Sequence, residues 1–225
     1  DEPHYKGRIT FEELPVPRYA PAGDDVTRVR NKLRTVGIAA NDSQALILIN
    51  PNSSEIFPLR RWPLENFAQL CRSILEAMPS CWLIITGVAS EEKDAQYLLE
   101  RVQSPRCIDF AGKTNIRELL ALYSIATLMV TNDSGPAHFA SLLELPTIVL
   151  FGPETPRLYS PLGKRHTDVY AAFACSPCVS VYNGKRSPCT DNRCLKTLGV
   201  DLVLKEVLAL VGGSVARVEG AMRSG

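Results

Sequence analysis

The sequence predicts an α/β fold, a Rossmann-like parallel sheet with helices on both faces. Short, wholly apolar runs recur along the chain, as expected for strands that are covered on both sides. Segments with helical periodicity alternate with these runs, and tight polar turns separate the two kinds of segment. This alternation is typical of βαβ units with right-handed crossovers.

The composition is that of a globular protein and argues against a nucleic-acid-binding or membrane-spanning chain. The 225 residues are 45% apolar, enough for one large domain or for a domain with an extension. Lysine and arginine number 25 against 24 aspartate and glutamate residues, so there is no basic excess. The apolar runs are too short for a bilayer, and the polar first residues cannot be a signal peptide. Because the chain starts without methionine, we expect a fragment of a longer protein.

Three regions are predicted along the chain. Residues 1–42 are interrupted by prolines and are expected to be an interdomain connector with one docking helix at 25–34. Residues 43–212 form the predicted Rossmann-like domain, and residues 213–225 form a flexible tail. The predicted strands are 45–50, 82–86, 107–110, 126–130, 147–151 and 168–171, and the predicted domain helices include 64–78, 91–102, 116–124 and 200–211.

The segment 131–138, Thr-Asn-Asp-Ser-Gly-Pro-Ala-His, lies between a predicted strand and a predicted helix. Its small and polar residues and its proline should end the strand. Asp133 and Ser134 are suitable N-cap residues, and Pro136 suits the first helical turn. The free N–H groups of such a helix end attract an anion such as phosphate. His138 falls about one turn into the helix, near enough to face the same ligand.

Four loops that follow predicted strands are rich in polar residues, at 52–61, 87–92, 112–115 and 131–138. Ligands of parallel sheets bind outside the carboxyl ends of the strands. We therefore expect the four loops to converge on one site.

The cations in these loops allow two interpretations. Arg60 and Arg61 could fork onto a phosphate, or they could be solvated surface cations beside Trp62. Lys113 follows Gly112, whose turn would let the backbone approach a ligand. The upstream glycine of an NTPase P-loop is missing, which excludes that motif.

The acidic residues and the histidine also have plainer interpretations. Glu91 could grip ribose hydroxyls, or it could only complement a helix dipole. Asp133 could serve as an N-cap alone, and His138 could be a satisfied core histidine. A Ser–His–Asp hydrolase is disfavoured because Ser134, His138 and Asp133 fall within six residues and the Gly-x-Ser-x-Gly elbow is absent.

Four of the seven cysteines cluster with the spacing C-x2-C-x10-C-x4-C, namely Cys175, Cys178, Cys189 and Cys194. The first pair suits a zinc knuckle, and the second pair is slightly wide. A structural zinc ion is therefore one prediction, and reduced thiols or a disulfide are the alternatives. The other three, Cys71, Cys81 and Cys107, are expected to be buried thiols.

The segment 131–140, together with Pro-Thr-Ile-Val-Leu-Phe-Gly-Pro at 146–153, resembles the lipopolysaccharide heptosyltransferase family, glycosyltransferase family 9. The Asn-Pro pair at 50–51 and the Arg-Arg-Trp-Pro-Leu-Glu-Asn-Phe run at 60–67 carry the same resemblance. The Cys-x-x-Cys motif and the later Cys-Leu pair at 194–195 are also similar to many members. The resemblance covers about 45–211.

This resemblance implies the second half of a GT-B fold, the half that holds the nucleotide-sugar donor. It implies an inverting, metal-independent transfer of heptose or a related sugar from an ADP-sugar to a lipopolysaccharide core acceptor, with no cofactor required. The implied partners are the ADP-sugar, a lipid-linked oligosaccharide acceptor and an amino-terminal domain of the same protein. The implied location is cytoplasmic, with peripheral contact at the inner face of the inner membrane.

The resemblance also assigns roles to residues. Arg60 takes the place of the basic residue that contacts the donor diphosphate, and Asp133 takes that of the sugar-contacting aspartate. The whole expected donor-binding set is Ser53, Ser54, Arg60, Glu91, Lys113, Thr114, Asp133, Ser134, Gly135 and His138.

Two departures from the family pattern matter. The family usually has lysine at the position of Arg60, so the geometry of phosphate binding should differ. The family's catalytic base is an aspartate of the first domain, which this sequence lacks. We therefore expect donor binding with little transfer, and at most assisting roles for Asp133 and His138. The alternatives are a non-catalytic nucleotide-binding or scaffold module of cell-envelope biogenesis, and a nucleotide-sugar epimerase relative.

Overall fold

A single parallel sheet organises the protein. The computed structural model describes residues 16–39, 44–53 and 57–222, with side chains as far as residue 212. The strands are β1 (Leu46–Asn50), β2 (Trp82–Ile85), β3 (Cys107–Asp109), β4 (Leu128–Asn132), β5 (Thr147–Phe151) and β6 (His166–Tyr170). The helices are α1 (Gly23–Thr35), α2 (Leu64–Ala77), α3 (Glu92–Val102), α4 (Ile116–Ile125), α5 (Gly135–Ser141), α6 (Pro156–Tyr159), α7 (Arg193–Lys196) and α8 (Val200–Met222).

Helices cover both faces of the sheet, which explains why the central strands β1, β2 and β5 are largely apolar. Ile47 and Ile49 of β1 point into a core shared with α2, α3 and α8. Leu46 and Leu48 point the opposite way, into a core shared with α1, α4 and α5. Successive residues of a strand alternate between its faces, so a strand covered on both sides needs apolar residues at every position.

The order of the strands is β3-β2-β1-β4-β5-β6, and all neighbours are parallel. The order reverses between β1 and β4, where Asn50 is in register with Thr131. Chains leave β1 and β4 in opposite directions at such a switch point, which opens a crevice at the carboxyl ends of the strands. The candidate site lies there.

The connector helix forms as predicted and is somewhat longer. Its Val29 and Leu33 are fully buried against the sheet face that α4 covers. A helix docked in this way is part of the core, and the interdomain role of residues 1–42 stays a prediction.

Several predicted boundaries differ from the observed ones, most of them by one or two residues, and two of the differences have a clear physical reason. Thr131 and Asn132 continue β4, because both polar side chains have hydrogen-bond partners and so can be buried in a strand. The Thr131 hydroxyl donates to the Asn132 carbonyl, and the Asn132 amide donates to the Pro51 carbonyl. The last helix does not stop at 211 but extends to Met222. The flexibility of the tail at 213–225 stays a prediction. Glycine weakens a helix without ending it, which is why Gly212 is a misleading stop signal. In the part of the chain that the structure describes, no helix is long and apolar enough to cross a membrane.

Candidate functional site

A buried amide joins the two strands of the switch point to the next loop. Asn132, at the end of β4, donates from Nδ2 to the Pro51 carbonyl at 2.6 Å and accepts the Trp62 backbone N–H at 2.9 Å. The Trp62 ring is itself buried, and its Nε1 donates to the Leu198 carbonyl at 3.0 Å. These bonds hold the loop before Trp62 against the end of β4, and that loop carries Arg60.

Arg60 points inward and is not a solvated surface cation. Its side chain is only 13% exposed. Its Nη1 lies 3.6 Å from Oδ2 of Asp133 and 3.4 Å from Oε2 of Glu154. The guanidinium also lies over the Phe57 ring, 4.8 Å from its centroid, and its Nε has no hydrogen-bond partner. Arg60 therefore keeps a free donor in a largely desolvated place, where an anion would be held strongly.

Two buried carboxyl groups flank this arginine. Glu154 is fully buried, and Asp133 is 4% exposed. Burial and the adjacent Glu154 carboxyl raise the pKa of Asp133 to about 7, although the Arg60 guanidinium acts in the opposite direction. Oδ2 of Asp133 and Oε1 of Glu154 have no hydrogen-bond partner. Buried polar atoms without partners are rare in stable folds and are typical of a ligand-binding site.

Glu154 is not among the residues predicted from the sequence. It directly follows Gly152 and Pro153 at the carboxyl end of β5, the strand next to β4. The rule that parallel sheets bind ligands at strand ends could have drawn attention to it. The site thus includes a fifth loop in addition to the four expected ones.

The helix end at α5 has the predicted position but not the predicted capping. Ser134 is the N-cap, yet its hydroxyl donates back to the Asn132 carbonyl at 3.2 Å and does not cap the helix. Gly135 is exposed, and a Cβ there would meet no atom within 4 Å, so the space in front of the helix is open. Asp133, which directly precedes Ser134, connects this helix end with the cluster of Arg60, Asp133 and Glu154, because its carboxylate lies beside Arg60.

His138 is exposed and stands apart from that cluster. Its side chain makes no hydrogen bond in the described part of the chain. The charged group that affects its pKa is the His166 ring. Partial desolvation and the His166 ring hold the pKa of His138 below its ordinary value. The assisting roles of His138 and Asp133 in catalysis stay predictions.

Ser53 and Glu91 lie at the ends of β1 and β2. Ser53 is buried, and its carbonyl accepts a hydrogen bond from Arg61 at 2.9 Å. The Glu91 carboxylate accepts the Val88 backbone N–H at 2.9 Å. Burial raises the pKa of Glu91, opposed mainly by that N–H and by Arg61. Arg61 therefore interacts with residues on the β1 and β2 side of the crevice, next to the cluster that contains Arg60. Ser54 lies outside the described residues.

Lys113 is engaged away from the centre of the site. Its Nζ donates to the Asp109 carbonyl at 2.7 Å and lies 3.1 Å from the Asp109 carboxylate. Its loop does touch the loop after β2, because the Gly112 N–H donates to the Gly87 carbonyl at 2.9 Å. Thr114 is half-buried beside it. The loops that were predicted to converge therefore lie in a row along the carboxyl ends of the strands. Lys113 and Thr114 lie at the β3 end of that row.

The four clustered cysteines come together in space. Cys175, Cys178, Cys189 and Cys194 line one cavity of about 90 Å³, and all four are free thiols. Within the described residues, no three histidine, cysteine, aspartate or glutamate side chains are grouped closely enough to hold a metal ion. The structural zinc ion stays a prediction. Cys71, Cys81 and Cys107 are buried thiols, as predicted.

The cysteine segment, residues 175–194, packs against the site. The Cys178 and Val179 N–H groups donate to the Pro153 carbonyl at 2.9 and 3.0 Å. The Ser176 hydroxyl donates to the Gly152 carbonyl. Hydrogen bonds thus join this segment to the residues immediately before Glu154.

Comparison with known proteins shows a match to one protein family. Residues 16–186 match glycosyltransferase family 9 (heptosyltransferase). Lipooligosaccharide heptosyltransferase 2 of Haemophilus influenzae is 32% identical over 117 residues, 51% of this chain and 33% of that protein. The protein of the same name from Campylobacter jejuni serotype O:6 is 26% identical over 173 residues, 75% of this chain and 52% of that protein. The chain thus spans about half, or less, of the length of these relatives.

Solved structures show the same fold. A glycosyl transferase family 9 protein from Veillonella parvula matches with a TM-score of 0.73 at 21% identity, over 89% of this chain and 55% of that one. E. coli ADP-heptose lps heptosyltransferase II gives 0.68 at 21% identity, over 90% and 57%. E. coli heptosyltransferase WaaC with ADP gives 0.59 at 18%, over 76% and 45%. Identities this low show the fold alone, and they confirm the predicted Rossmann-like fold class.

Proposed function

The chain belongs to glycosyltransferase family 9, and from this premise we propose that it is the donor-binding part of an inverting glycosyltransferase. The proposed reaction transfers heptose or a related sugar from an ADP-sugar to a lipopolysaccharide core acceptor. The observation that carries the proposal is the cluster of Arg60, Asp133 and Glu154 at the switch point of the sheet. Such a cluster of buried charged groups with unpartnered atoms is typical of a ligand site.

Arg60 is proposed to hold the diphosphate of the donor. A guanidinium can form two parallel hydrogen bonds to phosphate, and it stabilises the negative charge that the departing nucleotide gains. The open N-terminal end of α5, with Ser134 and Gly135, would add backbone N–H donors from the other side. Stabilising the leaving group in this way needs no metal ion.

Asp133 is proposed to contact the sugar. Its raised pKa means that near neutral pH the carboxyl can carry a proton and donate a hydrogen bond to a sugar oxygen. Glu91, Thr114 and Lys113 are proposed to line the nucleoside pocket farther along the sheet edge, with the Glu91 carboxylate on the ribose. Two structural neighbours support an adenine nucleotide, since one is described as an ADP-heptose heptosyltransferase and another was solved with ADP.

The remaining parts of the reaction are proposed to come from elsewhere in the protein. Inverting transfer needs a base that deprotonates the acceptor hydroxyl. We assign that base, and the site for a lipid-linked oligosaccharide acceptor, to an amino-terminal domain. The proposed location is the cytoplasmic face of the inner membrane. A scaffold module that binds nucleotide without taking part in transfer is the second candidate, favoured by the cysteine segment that packs against the site.

Calorimetric titration with ADP and with an ADP-sugar tests the proposal. We expect saturable binding, and a loss of about tenfold or more with Arg60→Ala, because a charge-assisted bond to phosphate is removed. Arg72→Ala is the matched control, since Arg72 is a partly exposed arginine of α2 that is paired with Glu65. Equal binding by all three proteins, or none by the parent chain, would refute donor binding. Retained binding without sugar transfer, once an amino-terminal domain is supplied, would favour the scaffold.

A further inference from the structure

The Glu154 carboxylate lies between two cations, with one cation near each oxygen. Oε2 lies 3.4 Å from Nη1 of Arg60, and Oε1 lies 3.9 Å from Nζ of Lys185. Glu154 is completely buried, and a buried carboxylate is costly unless it is paired. Its position therefore depends on both cations, and the positions of both cations depend on it.

The two cations also meet at one aromatic ring. The Arg60 guanidinium lies 4.8 Å from the centroid of the Phe57 ring, and Lys185 Nζ lies 5.2 Å from the same centroid. Lys185 Nζ is also 5.3 Å from the centroid of the Tyr159 ring. Aromatic faces attract cations and leave their outward N–H groups free to bind an anion. Arg60 and Lys185 are thus arranged as a pair.

The backbone fixes Lys185 in this place. Its N–H donates to the Ser180 carbonyl at 2.8 Å, and its φ of 57° is in the left-handed region, where residues other than glycine are uncommon. The segment before it is hydrogen-bonded to the Pro153 carbonyl through Cys178 and Val179. The loop that presents Lys185 is therefore joined to the residue that precedes Glu154.

We propose that Lys185 is a second phosphate-binding residue of the donor site and that Glu154 positions it beside Arg60. The ligand class is the diphosphate of a nucleotide-sugar, so the inference rests on the proposed function. A diphosphate carries two negative charges, which two convergent cations neutralise better than one. The cysteine segment then contributes directly to donor binding through Lys185.

The test is the dissociation constant of ADP-glucose, measured by calorimetry for the 225-residue chain and its variants. Lys185→Ala should weaken binding about tenfold, and Lys185→Arg should stay within about threefold of the parent. In a Glu154→Gln background the additional loss on Lys185→Ala should shrink below about threefold, because the lysine is no longer held in place. Lys196→Ala is the matched control, because Lys196 is an exposed lysine just after the cysteine segment and pairs with Asp191.

The outcomes separate the two proposals. If Arg60→Ala loses binding while Lys185→Ala binds like the parent, the role of Lys185 is refuted and donor binding stands. If Lys185→Ala causes the same loss in the parent chain and in the Glu154→Gln background, the positioning role of Glu154 is refuted. If the parent chain does not bind ADP-glucose, ADP or another ADP-sugar, donor binding itself is refuted. Circular dichroism melting curves identify any variant that fails to fold.

Discussion

The side chain of Asn132 accepts the backbone N–H of Trp62 at 2.9 Å, and this bond connects β4 with the loop that carries Arg60. The same amide donates to the Pro51 carbonyl at the end of β1. One buried side chain therefore joins the two strands that diverge at the switch point. The position of Arg60 depends on this connection as much as on its own contacts.

Replacing Asn132 with alanine should destabilise the fold and weaken nucleotide binding. The Trp62 N–H and the Pro51 carbonyl would be left buried without partners, which costs about 2 kcal/mol in the free energy of unfolding. Urea unfolding followed by tryptophan fluorescence measures this. Asn31→Ala is the control, because Asn31 is an exposed residue of α1, and its effect should stay within about 0.5 kcal/mol. A neutral Asn132→Ala would show that the connection is dispensable.

The free energy of unfolding should fall as pH rises, because the pKa of the Asp133 carboxyl is raised in the folded protein. Its pKa is about 7 in the folded protein and ordinarily 3.8, so the folded state keeps a proton that the unfolded chain has released. Stability from this group is therefore lost as pH rises from about 4 to about 7, by on the order of 1 kcal/mol for each pH unit at most. Asp133→Asn should flatten this dependence and be more stable than the parent at about pH 8.

Glu118 offers a control of opposite sign. The hydrogen bond from Lys32 lowers the pKa of Glu118, and burial opposes that effect. Its stabilising contribution is present above its ordinary pKa and is lost as pH falls through the lowered value. Glu118→Gln should therefore reduce stability near neutral pH. If Asp133→Asn and Glu118→Gln shift the pH profile in the same direction, the assignment for Asp133 is wrong.

Gly152→Ala should separate the cysteine segment from the site. A Cβ at Gly152 would lie 2.5 Å from Cγ of Leu195 and 3.0 Å from Sγ of Cys194, so α7 would have to move. Overpacking of this kind costs about 1–3 kcal/mol, measurable as a lower midpoint of urea unfolding. Gly199→Ala is the control, since a Cβ there meets nothing within 4 Å. Equal stability of the two variants would contradict the close packing at Gly152.

The seven thiols should react in two classes with a thiol reagent under native conditions. Cys175 is exposed, and Cys178 and Cys189 are partly exposed, so these three should react fast. Cys71, Cys81, Cys107 and Cys194 are buried and should react only on unfolding. Burial also raises the pKa of Cys81 to about 11, which suppresses its thiolate. The same samples, measured for zinc, test the predicted metal site, because bound zinc would protect the fast class.

The fold could be predicted from the sequence because a strand that is buried on both faces is visible as a run of apolar residues. In β1 four successive residues, 46–49, are apolar, and this pattern is visible without any partner strand. The helix-capping Asn115, which accepts the Glu118 N–H, likewise acts only on its own neighbours in the chain. Features of this kind depend on local sequence alone.

The site was only partly predictable because its key contacts join distant parts of the chain. Arg60 has the sequence context of a surface cation, and only the fold buries it between Asp133 and Glu154. Lys185 lies in a polar segment between cysteines, and nothing nearby in the sequence indicates that it reaches Glu154. The lysine at 113 shows the converse, since a promising local motif is engaged by Asp109 instead. The chemical character of each loop could be inferred from the sequence, but the contacts between residues far apart in the chain could not.

The packing of α8 also has a consequence for synthesis. Val203 and Val207 of this helix are fully buried and complete the core that α2 shares with the sheet. On the ribosome α2 emerges well before α8, and translation at ordinary rates leaves an interval of roughly ten seconds between them. During that interval the part of α2 that packs against α8 stays exposed, although α3 and the sheet cover the rest. Nascent chains of this protein should therefore bind a hydrophobic-segment chaperone such as a ribosome-associated holdase until the last helix is made.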